Sequence, residues 1–460
     1  MQFDLVINNA TLVEPSSDLL TLANIGIKDE KVAVVTRGEL EGQKVIDADL
    51  KVVCPGFIDI HSHVDNYQYG GMLYAMQGIT TTVGGNCGLS PVGPKQFFQE
   101  MSETGFPINQ GQLVGHSFSM RTEAGLTDVY APASADQIEA MTRRLEKGLE
   151  EGALGLSLGL EYAPGSSFEE IRELSKIAAL YNKPVAIHTR YDSWRGLEAI
   201  HEVIRLARET GASIQVAHLA YMVGMGMMTE ALNMIADARR EGLDITADSG
   251  LYSAFATFIG SAVFDPGCLE KWGIDYSDFY VSTGPFAGRQ CDQPLFEKLR
   301  QDEPDTVIVA FAGRDSEVLE ALSAYFVMVS TDGCVGSPEP GSGHPQDSGT
   351  YPRFFRLMVR ETGILTLLQA VKKCTLLPAQ RLGLTDKGHL RPGADADLVI
   401  FDLKEIRDNS DYPGLGKPDA PPSGIDYVIV NGAPVVEKGV FVQDSKPGKP
   451  VTLPNKIWEL

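Results

Sequence analysis

Basic side chains are scarce in this sequence of 460 residues, which has 39 lysines and arginines against 61 aspartates and glutamates. The resulting net charge of −22 repels phosphate backbones and anionic membrane surfaces. Long apolar runs are also missing: no stretch reaches the ~18 residues of a membrane span, and the first residues lack the basic and apolar segments of a secretory signal. We therefore expect a cytoplasmic protein whose partners are neither nucleic acid nor membrane.

Cysteine is rare and scattered, with six residues spread over the chain and none in a Cys-x-x-Cys pair. This pattern provides no disulfide framework and suits reduced thiols in a reducing compartment. The remaining composition, 43% hydrophobic and 22% charged, is that of an ordinary globular chain with enough apolar residues for a sizeable core.

The two ends of the chain share one pattern of short strands. Residues 1–54 contain FDLVINN, NIGIKD and KVAVVT, and residues 386–460 contain ADLVIFDL and DYVIVNGAPVVEKG, all with alternating apolar positions. Asn431 and Gly432 form a strong hairpin-turn signal. We expect both ends to pair into one small β domain.

Residues 55–385 alternate short apolar runs with helical patterns, which is typical of an α/β protein with a parallel sheet or barrel. The brief strands GALGLSLGL, PVAIHTR, SIQVAHLA, DITADSG, TVIVAFAG and FVMVSTDG end in polar or glycine residues. In a (β/α)₈ barrel such strand ends point into the mouth where catalysis occurs. The pattern therefore predicts a parallel sheet or barrel, interrupted near residues 255–305 by an inserted loop or lid.

Two histidines, His61 and His63, follow the apolar run PGFIDI. On a strand both would share a face, and two neutral imidazoles on one face can hold a divalent metal such as zinc. A lone His-x-His pair is a weak indicator, because chance pairs and surface histidines are common.

Polar side chains follow other predicted strands as well. His188 ends PVAIH, His218 ends SIQVAH, and Asp332 follows YFVMVST. Taken singly, each is explained by a satisfied core histidine or a turn aspartate, but packing does not explain four strand-end histidines together. Cys87, in the glycine-rich run VGGNCG, is either inert core filler or a thiolate zinc ligand at the barrel mouth. The joint pattern favours a metal site.

Several longer motifs, taken in order, resemble the amidohydrolase superfamily and, within it, the D-aminoacylase (N-acyl-D-amino-acid deacylase) branch. The motifs are VIDADLKVVCPGFIDIHSH, QGITTTVGGNCG, GALGLSLGLEYAPG, IHTR, VAHL, STDG, HPQDSGTYPRFF and LLPAQRLGLTDKGHLRPGADADLVIFD. The resemblance covers nearly the whole chain. It implies an α/β fold with a (β/α)₈ barrel of the TIM type and a small β-sandwich domain formed by both chain ends. It also implies a zinc-dependent deacylase that cleaves the amide bond of small N-acyl amino acids, with N-acyl-D-amino acids preferred and one or two Zn²⁺ ions as cofactor.

Carried over by position, the resemblance also implies the metal ligands. Cys87, His188 and His218 would hold zinc, with Cys87 in place of the carboxylated lysine or glutamate that many superfamily members use. His61 and His63 would hold a second ion or tune the first.

Four further residues are candidates for catalysis and substrate binding. By the resemblance, Asp332 is the catalytic aspartate, which would accept the proton of the attacking water and deliver it to the departing amine. Arg190 either contacts the substrate carboxylate or forms a structural ion pair at the barrel rim, and Tyr252 is a second candidate for a substrate contact. His344, in the glycine-rich loop GSGHPQD, either closes over the substrate or lies in a solvated turn. The family's usual lysine for the substrate carboxylate is replaced by Ala220, so the acyl group, the amino acid and the D or L preference stay open.

Two other functions remain as alternatives. A cyclic-amide hydrolase, such as a hydantoinase or dihydroorotase, would use the same metal and aspartate, but the cysteine of the NCG motif argues against it. A catalytically silent barrel used for binding or assembly is disfavoured by the complete set of site residues. A homo-oligomer also stays open.

Overall fold

Both ends of the chain contribute strands to one nine-stranded sheet in the computed structural model, which describes residues 2–90 and 92–453. With strands and helices numbered along the chain, the strands of this sheet are β1 (Phe3–Glu14), β2 (Leu19–Lys28), β3 (Lys31–Thr36), β4 (Gly42–Asp47), β5 (Val52–Pro55), β17 (Leu398–Phe401), β18 (Ile425–Val430), β19 (Ala433–Glu437) and β20 (Val440–Phe441). The antiparallel pair β5 and β17 joins the two ends, and alternate residues such as Leu5, Ile25 and Ile400 share a core. The expected domain of both termini is confirmed.

Eight parallel strands form the central barrel. They are β6 (Phe57–Asp59), β7 (Ile79–Gly84), β8 (Asn109–Gly115), β9 (Gly155–Gly159), β10 (Val185–His188), β11 (Ile214–Val216), β12 (Ile245–Ser249) and β16 (Val327–Val329). They pair in that order, and a parallel bridge between Ser62 and Gly333 brings the first strand next to the last. Most of their residues are buried, because helices cover the outside and side chains fill the inside. The predicted (β/α)₈ barrel is confirmed.

The helices lie mainly between the barrel strands. They are α1 (Gln68–Met76), α2 (Pro94–Thr104), α3 (Arg121–Glu123), α4 (Ala135–Glu150), α5 (Phe168–Leu180), α6 (Gly196–Thr210), α7 (Leu219–Val223), α8 (Met228–Arg240), α9 (Cys268–Trp272), α10 (Gln293–Asp302), α11 (Asp315–Ser323), α12 (Gln346–Phe354), α13 (Leu367–Cys374) and α14 (Leu376–Leu382). Capping boxes fix where two of the longer helices start. Ser134 and Gln137 begin α4, and Ser167 and Glu170 begin α5.

The segment between β12 and α11 differs from the loop that its sequence suggested. It contains a small antiparallel sheet in the order β13 (Phe255–Phe258), β15 (Val307–Ala310) and β14 (Phe279–Val281), with α9 and α10. The run TVIVAFAG, read from sequence as a barrel strand, is β15 of this inserted sheet. Aromatic residues including Phe264, Trp272 and Phe296 give the insertion its own core. The insertion is therefore a folded subdomain.

No helix in the described parts of the chain combines the length and the apolar character that crossing a membrane requires.

Candidate metal centre

Four donor side chains from different strands meet inside the mouth of the barrel. One ligand atom from each of His61, Cys87, His218 and Asp332 lies within 4.8 Å of the others, and all four residues are buried. His61 follows β6, Cys87 follows β7, His218 follows β11 and Asp332 follows β16. Residues far apart in sequence are therefore brought to one point by the parallel barrel.

The remaining two predicted donors lie at the edges of this group. Nε2 of His63 is 3.2 Å from Oδ1 of Asp332, which is also 3.2 Å from Nε2 of His61. Nδ1 of His188 is 2.8 Å from Nε2 of His218, which is 3.4 Å from the Cys87 sulfur. All six side chains thus form one continuous cluster, with Cys87 and Asp332 between imidazoles.

Three of the donors have left-handed backbone conformations. The φ angles of Cys87, His218 and Asp332 are 52°, 31° and 54°. Non-glycine residues adopt this region rarely, and such strain concentrates at functional sites. The turn at Cys87 also needs a glycine opposite it, because a Cβ atom at Gly159 would lie 2.0 Å from the Cys87 carbonyl oxygen. The local backbone is therefore shaped around the cysteine.

The electrostatics of the cluster favour a buried thiolate and a buried carboxylate. Burial by itself raises the pKa of the Cys87 thiol, but His61 and His218 outweigh it and hold that pKa well below its usual range. The same two histidines hold the pKa of Asp332 well below its usual range, against the effect of burial. Two anions among imidazoles form a donor set that suits a divalent cation.

Unpaired nitrogen atoms in the cluster agree with this donor chemistry. Among the described residues, Nδ1 of His63 and Nδ1 of His218 are buried without a hydrogen-bond partner. Leaving a buried polar atom unpaired costs about 1–3 kcal/mol, so such atoms are expected where a ligand completes the site. The thiolate, imidazole and carboxylate donors together fit zinc.

Asp248 is a buried carboxylate that contacts two of the donor residues, His61 and His218, and the sequence analysis gave it no role. Its Oδ1 accepts hydrogen bonds from the backbone N–H of His218 at 3.0 Å and from the Ser330 hydroxyl at 2.7 Å, and lies 3.3 Å from Nδ1 of His61. Burial raises the pKa of Asp248, but His61 outweighs this effect and the pKa is lowered. The sequence feature that could have identified Asp248 is its place at the polar end of the strand DITADSG.

Glu161 is a second functional residue that sequence reasoning missed. Its Oε2 is 3.1 Å from Nε2 of His188, and its Oε1 accepts from the Lys271 ammonium at 3.1 Å. Lys271, on α9 of the insertion, also lies 2.8 Å from Oδ1 of Asp192. Lys271 therefore links the insertion to the barrel, because it pairs with Glu161, which in turn contacts His188.

A small cavity lies beside the donors and contacts His188, His218 and Asp332. Its volume is only about 20 Å³, whereas ligand pockets usually measure ~300–1,000 Å³. Tyr162 and Phe255 form part of its wall, and no lysine or arginine from the described ranges lines it. This conformation therefore leaves little room for a substrate beside the donors, and Phe255 of the insertion is one of the residues that limit it.

The three predicted substrate-binding residues lie outside this cavity lining. Arg190 forms a bidentate ion pair with Glu202 of α6. Its Nε lies 2.9 Å from Oε2 of Glu202, and its Nη2 lies 3.0 Å from Oε1. The Tyr252 hydroxyl is 3.3 Å from Oγ of Ser410. His344 is buried, with Nε2 3.1 Å from the backbone oxygen of Ala254, and burial lowers its pKa to about 3.

Each of these three side chains therefore has a contact with another part of the protein that holds it in place. The ion pair holds the Arg190 guanidinium at a helix of the barrel wall, and the Tyr252 ring packs 5.5 Å from the His344 ring. Ala220, the replacement for the family lysine, is buried and brings no charge to the cavity.

The barrel, with its cysteine, histidine and aspartate donors at the carboxyl ends of the strands, has the architecture of a metal-dependent hydrolase. The chain belongs to the amidohydrolase family, whose model matches residues 52–435. This match confirms the family resemblance.

Two enzymes of Alcaligenes xylosoxydans xylosoxydans are similar over nearly their full length. An N-acyl-D-glutamate deacylase is 31% identical over 94% of both chains, and a D-aminoacylase is 28% identical over 95% of this chain and 96% of its own. A crystal structure of the N-acyl-D-glutamate deacylase of Bordetella bronchiseptica, complexed with zinc and a phosphonate inhibitor, superposes with a TM-score of 0.88. It is 28% identical and covers 98% of this chain and 100% of that one.

Proposed function

We propose that this protein is a zinc-dependent hydrolase that cleaves the amide bond of small N-acyl amino acids, with N-acyl-D-amino acids as the preferred substrates. The observation that carries the proposal is the convergence of His61, Cys87, His218 and Asp332 at the barrel mouth. Full-length similarity to deacylases of N-acyl-D-amino acids supports the reaction and the substrate class. We further propose that the enzyme acts in the cytoplasm.

Cys87, His188 and His218 would hold the zinc ion, and His61 and His63 would hold a second ion or tune the first. Bound zinc supplies Lewis-acid chemistry, which polarises a carbonyl oxygen and lowers the pKa of water to about 7. Glu161 and Asp248 keep the His188 and His61 rings in place.

Asp332 carries the proton in this mechanism. The imidazoles of His61 and His63 both contact its Oδ1, and this fixes the plane of the carboxylate. Asp332 takes the proton of the attacking water and gives it to the departing nitrogen, which is otherwise too basic to leave. Closure of the insertion over the mouth excludes bulk water during the reaction.

A substrate panel assayed with the zinc-loaded full chain tests this function. We expect turnover of N-acetyl-D-amino acids, slower turnover of the L isomers, and none of hydantoin or dihydroorotate. Turnover of the ring amides alone would establish a cyclic-amide hydrolase instead. A purified protein that binds no metal and hydrolyses no amide would establish a silent barrel.

A further inference from the structure

A second cavity, of about 730 Å³, lies at the end of the barrel opposite the candidate metal centre. Its wall is formed by residues at the amino-terminal ends of four barrel strands, including Lys183 before β10, Ser213 before β11, Thr246 in β12 and Phe326 before β16. His188 lies at the other end of β10, ~16 Å farther along the chain direction. The cavity is therefore separate from the reaction site.

Lys183 is the unusual residue of this cavity. Only 5% of the residue is exposed, and no described residue makes a hydrogen bond or ion pair with its ammonium, which is not among the fully buried unpartnered atoms and therefore faces the cavity. Burial lowers the pKa of this lysine, with no neighbouring charge to oppose the effect. An ammonium that faces a cavity without a protein partner is free to pair with the anionic end of a ligand.

Two arginines add positive charge to the same wall. Arg381 donates from Nη2 to Oδ1 of Asp244 at 2.7 Å, and Arg239 donates to the backbone oxygen of Ile245. Asp244 is the one acidic residue among the described residues of the lining, against three cations with Lys183. The cavity lining is therefore positive, although the chain as a whole has a net charge of −22.

Much of the remaining wall is apolar. Phe326, Met328, Leu377 and Leu382 line the cavity beside the charged groups. A small inorganic anion would leave these side chains without contacts, whereas a longer molecule would cover them. The wall therefore favours a ligand with one charged end and an apolar body.

We propose that this cavity binds a small organic carboxylate with an apolar chain, whose charged end accepts a hydrogen bond from the Lys183 ammonium. The apolar chain lies along Phe326 and Leu382, and Arg239 and Arg381 contribute favourable charge. The site is independent of the proposed deacylase reaction.

Calorimetric titration of the zinc-loaded full chain with octanoate tests the proposal. We expect one octanoate per chain, with at least tenfold weaker binding of octanamide, which lacks the charge, and of inorganic phosphate, which lacks the apolar chain. No binding of octanoate, or equal binding of octanamide or phosphate, would overturn the proposal.

Lys183→Met keeps the stem of the side chain and removes the charge. It should weaken octanoate binding at least tenfold, while Lys176→Met, at an exposed lysine paired with Glu173 on the neighbouring helix α5, should not change it. Unchanged binding by Lys183→Met would overturn the assignment.

A measurement on the wild-type chain keeps the test valid if Lys183→Met does not fold. Reductive methylation with formaldehyde, followed by peptide mass spectrometry, reports the access to each lysine. Saturating octanoate should slow methylation of Lys183 at least fivefold and leave Lys176 unchanged. An unaltered rate at Lys183 would show that the carboxylate does not reach it.

Discussion

Asp332 is held by two imidazoles at once, since Oδ1 lies 3.2 Å from Nε2 of both His61 and His63. Its backbone is also fixed in the left-handed region, and its N–H donates to the His61 carbonyl oxygen at 2.9 Å. A carboxylate fixed in this way can move a proton without first reorganising, which is the main advantage of a preorganised acid–base group.

The variant Asp332→Asn separates proton transfer from metal binding. The amide keeps the shape of the side chain but cannot accept the proton, so we expect a loss of ~10²–10⁴-fold in kcat. Metal analysis should find nearly unchanged zinc content, because asparagine keeps an oxygen donor at this position and Cys87, His188 and His218 remain in place. Substantial residual turnover would remove Asp332 from this role.

A pair of cysteine variants tests whether Cys87 is a zinc ligand or only packs in the core. Cys87→Ala removes a thiolate from the donor cluster and should lower the bound zinc per chain well below that of the wild type. Cys374→Ala, at another buried cysteine, is the matched control and should cost stability while keeping the zinc. Equal zinc content in both variants would show that the Cys87 sulfur only packs.

Burial of His344 makes the stability depend on pH. Its pKa of about 3 in the folded chain is below the ~6.5 of an unfolded histidine. Below pH 6.5 the unfolded chain binds a proton that the folded chain does not, so stability falls by ~1.4 kcal/mol per pH unit as the pH decreases toward 3. This cost is absent above pH 6.5.

Urea unfolding at pH 5 and pH 7 measures this effect. The loss of stability between the two values should be ~2 kcal/mol smaller in His344→Gln than in the wild type. His201→Gln, at an exposed histidine on α6, should leave the difference unchanged. Identical pH dependence in His344→Gln and the wild type would contradict a neutral His344.

At the scale of elements, the inserted subdomain closes the mouth of the barrel. The Tyr162 hydroxyl contacts Thr257 of β13 at 2.8 Å, and Lys271 of α9 reaches Glu161. Both contacts must loosen to enlarge a cavity of about 20 Å³ to the size of a substrate.

Hydrogen exchange measured by mass spectrometry tests this movement. A phosphonate inhibitor that occupies the mouth should slow exchange in β13 and α9, because it holds the insertion against the barrel. Exchange in α4, on the outside of the barrel, is the internal control. Equal exchange with and without inhibitor in β13 and α9 would contradict an opening insertion.

Elements that have a recognisable local pattern of residues could be predicted from the sequence. The strand-end histidines and Asp332 were visible because a parallel barrel brings every strand end to one rim. The run TVIVAFAG was misassigned because a short apolar strand has the same pattern in an inserted antiparallel sheet as in a barrel. Periodicity does not reveal the partner strand.

Contacts between distant residues were not visible in the sequence. Glu161 lies in the quoted motif GLEYAPG, but nothing in that motif indicates its contact with His188. The ion pair of Arg190 with Glu202 likewise depends on how a loop meets a helix face. These contacts arise from tertiary packing, for which a single sequence gives no direct signal.

At the scale of the whole molecule, Asp397 connects the terminal sheet to the barrel. It accepts from Nζ of Lys387 at 2.6 Å, from Nδ2 of Asn109 in β8 at 3.0 Å, and from the backbone of Asn431 at 2.8 Å. Lys387 keeps a raised pKa despite its burial, because Asp397 and Asp395 lie beside it.

Breaking this junction should affect stability and not catalysis. Asp397→Ala leaves buried donors unpaired, so we expect a loss of ~3–5 kcal/mol in the free energy of unfolding, with zinc content and kcat retained. Asp386→Ala removes an exposed partner of Lys31 and should cost less than ~1 kcal/mol. A small effect of Asp397→Ala in urea unfolding would show that the junction is not a main contact between the domains.

The pairing of β5 with β17 has a consequence for biosynthesis, since it matches Val53 with Ile400 across most of the chain. While the ribosome is still translating the middle of the message, the first strands have an open edge whose native neighbour has not been made. An exposed edge of this kind invites wrong partners. A pause in translation before β17 emerges would therefore prolong the exposure of this edge.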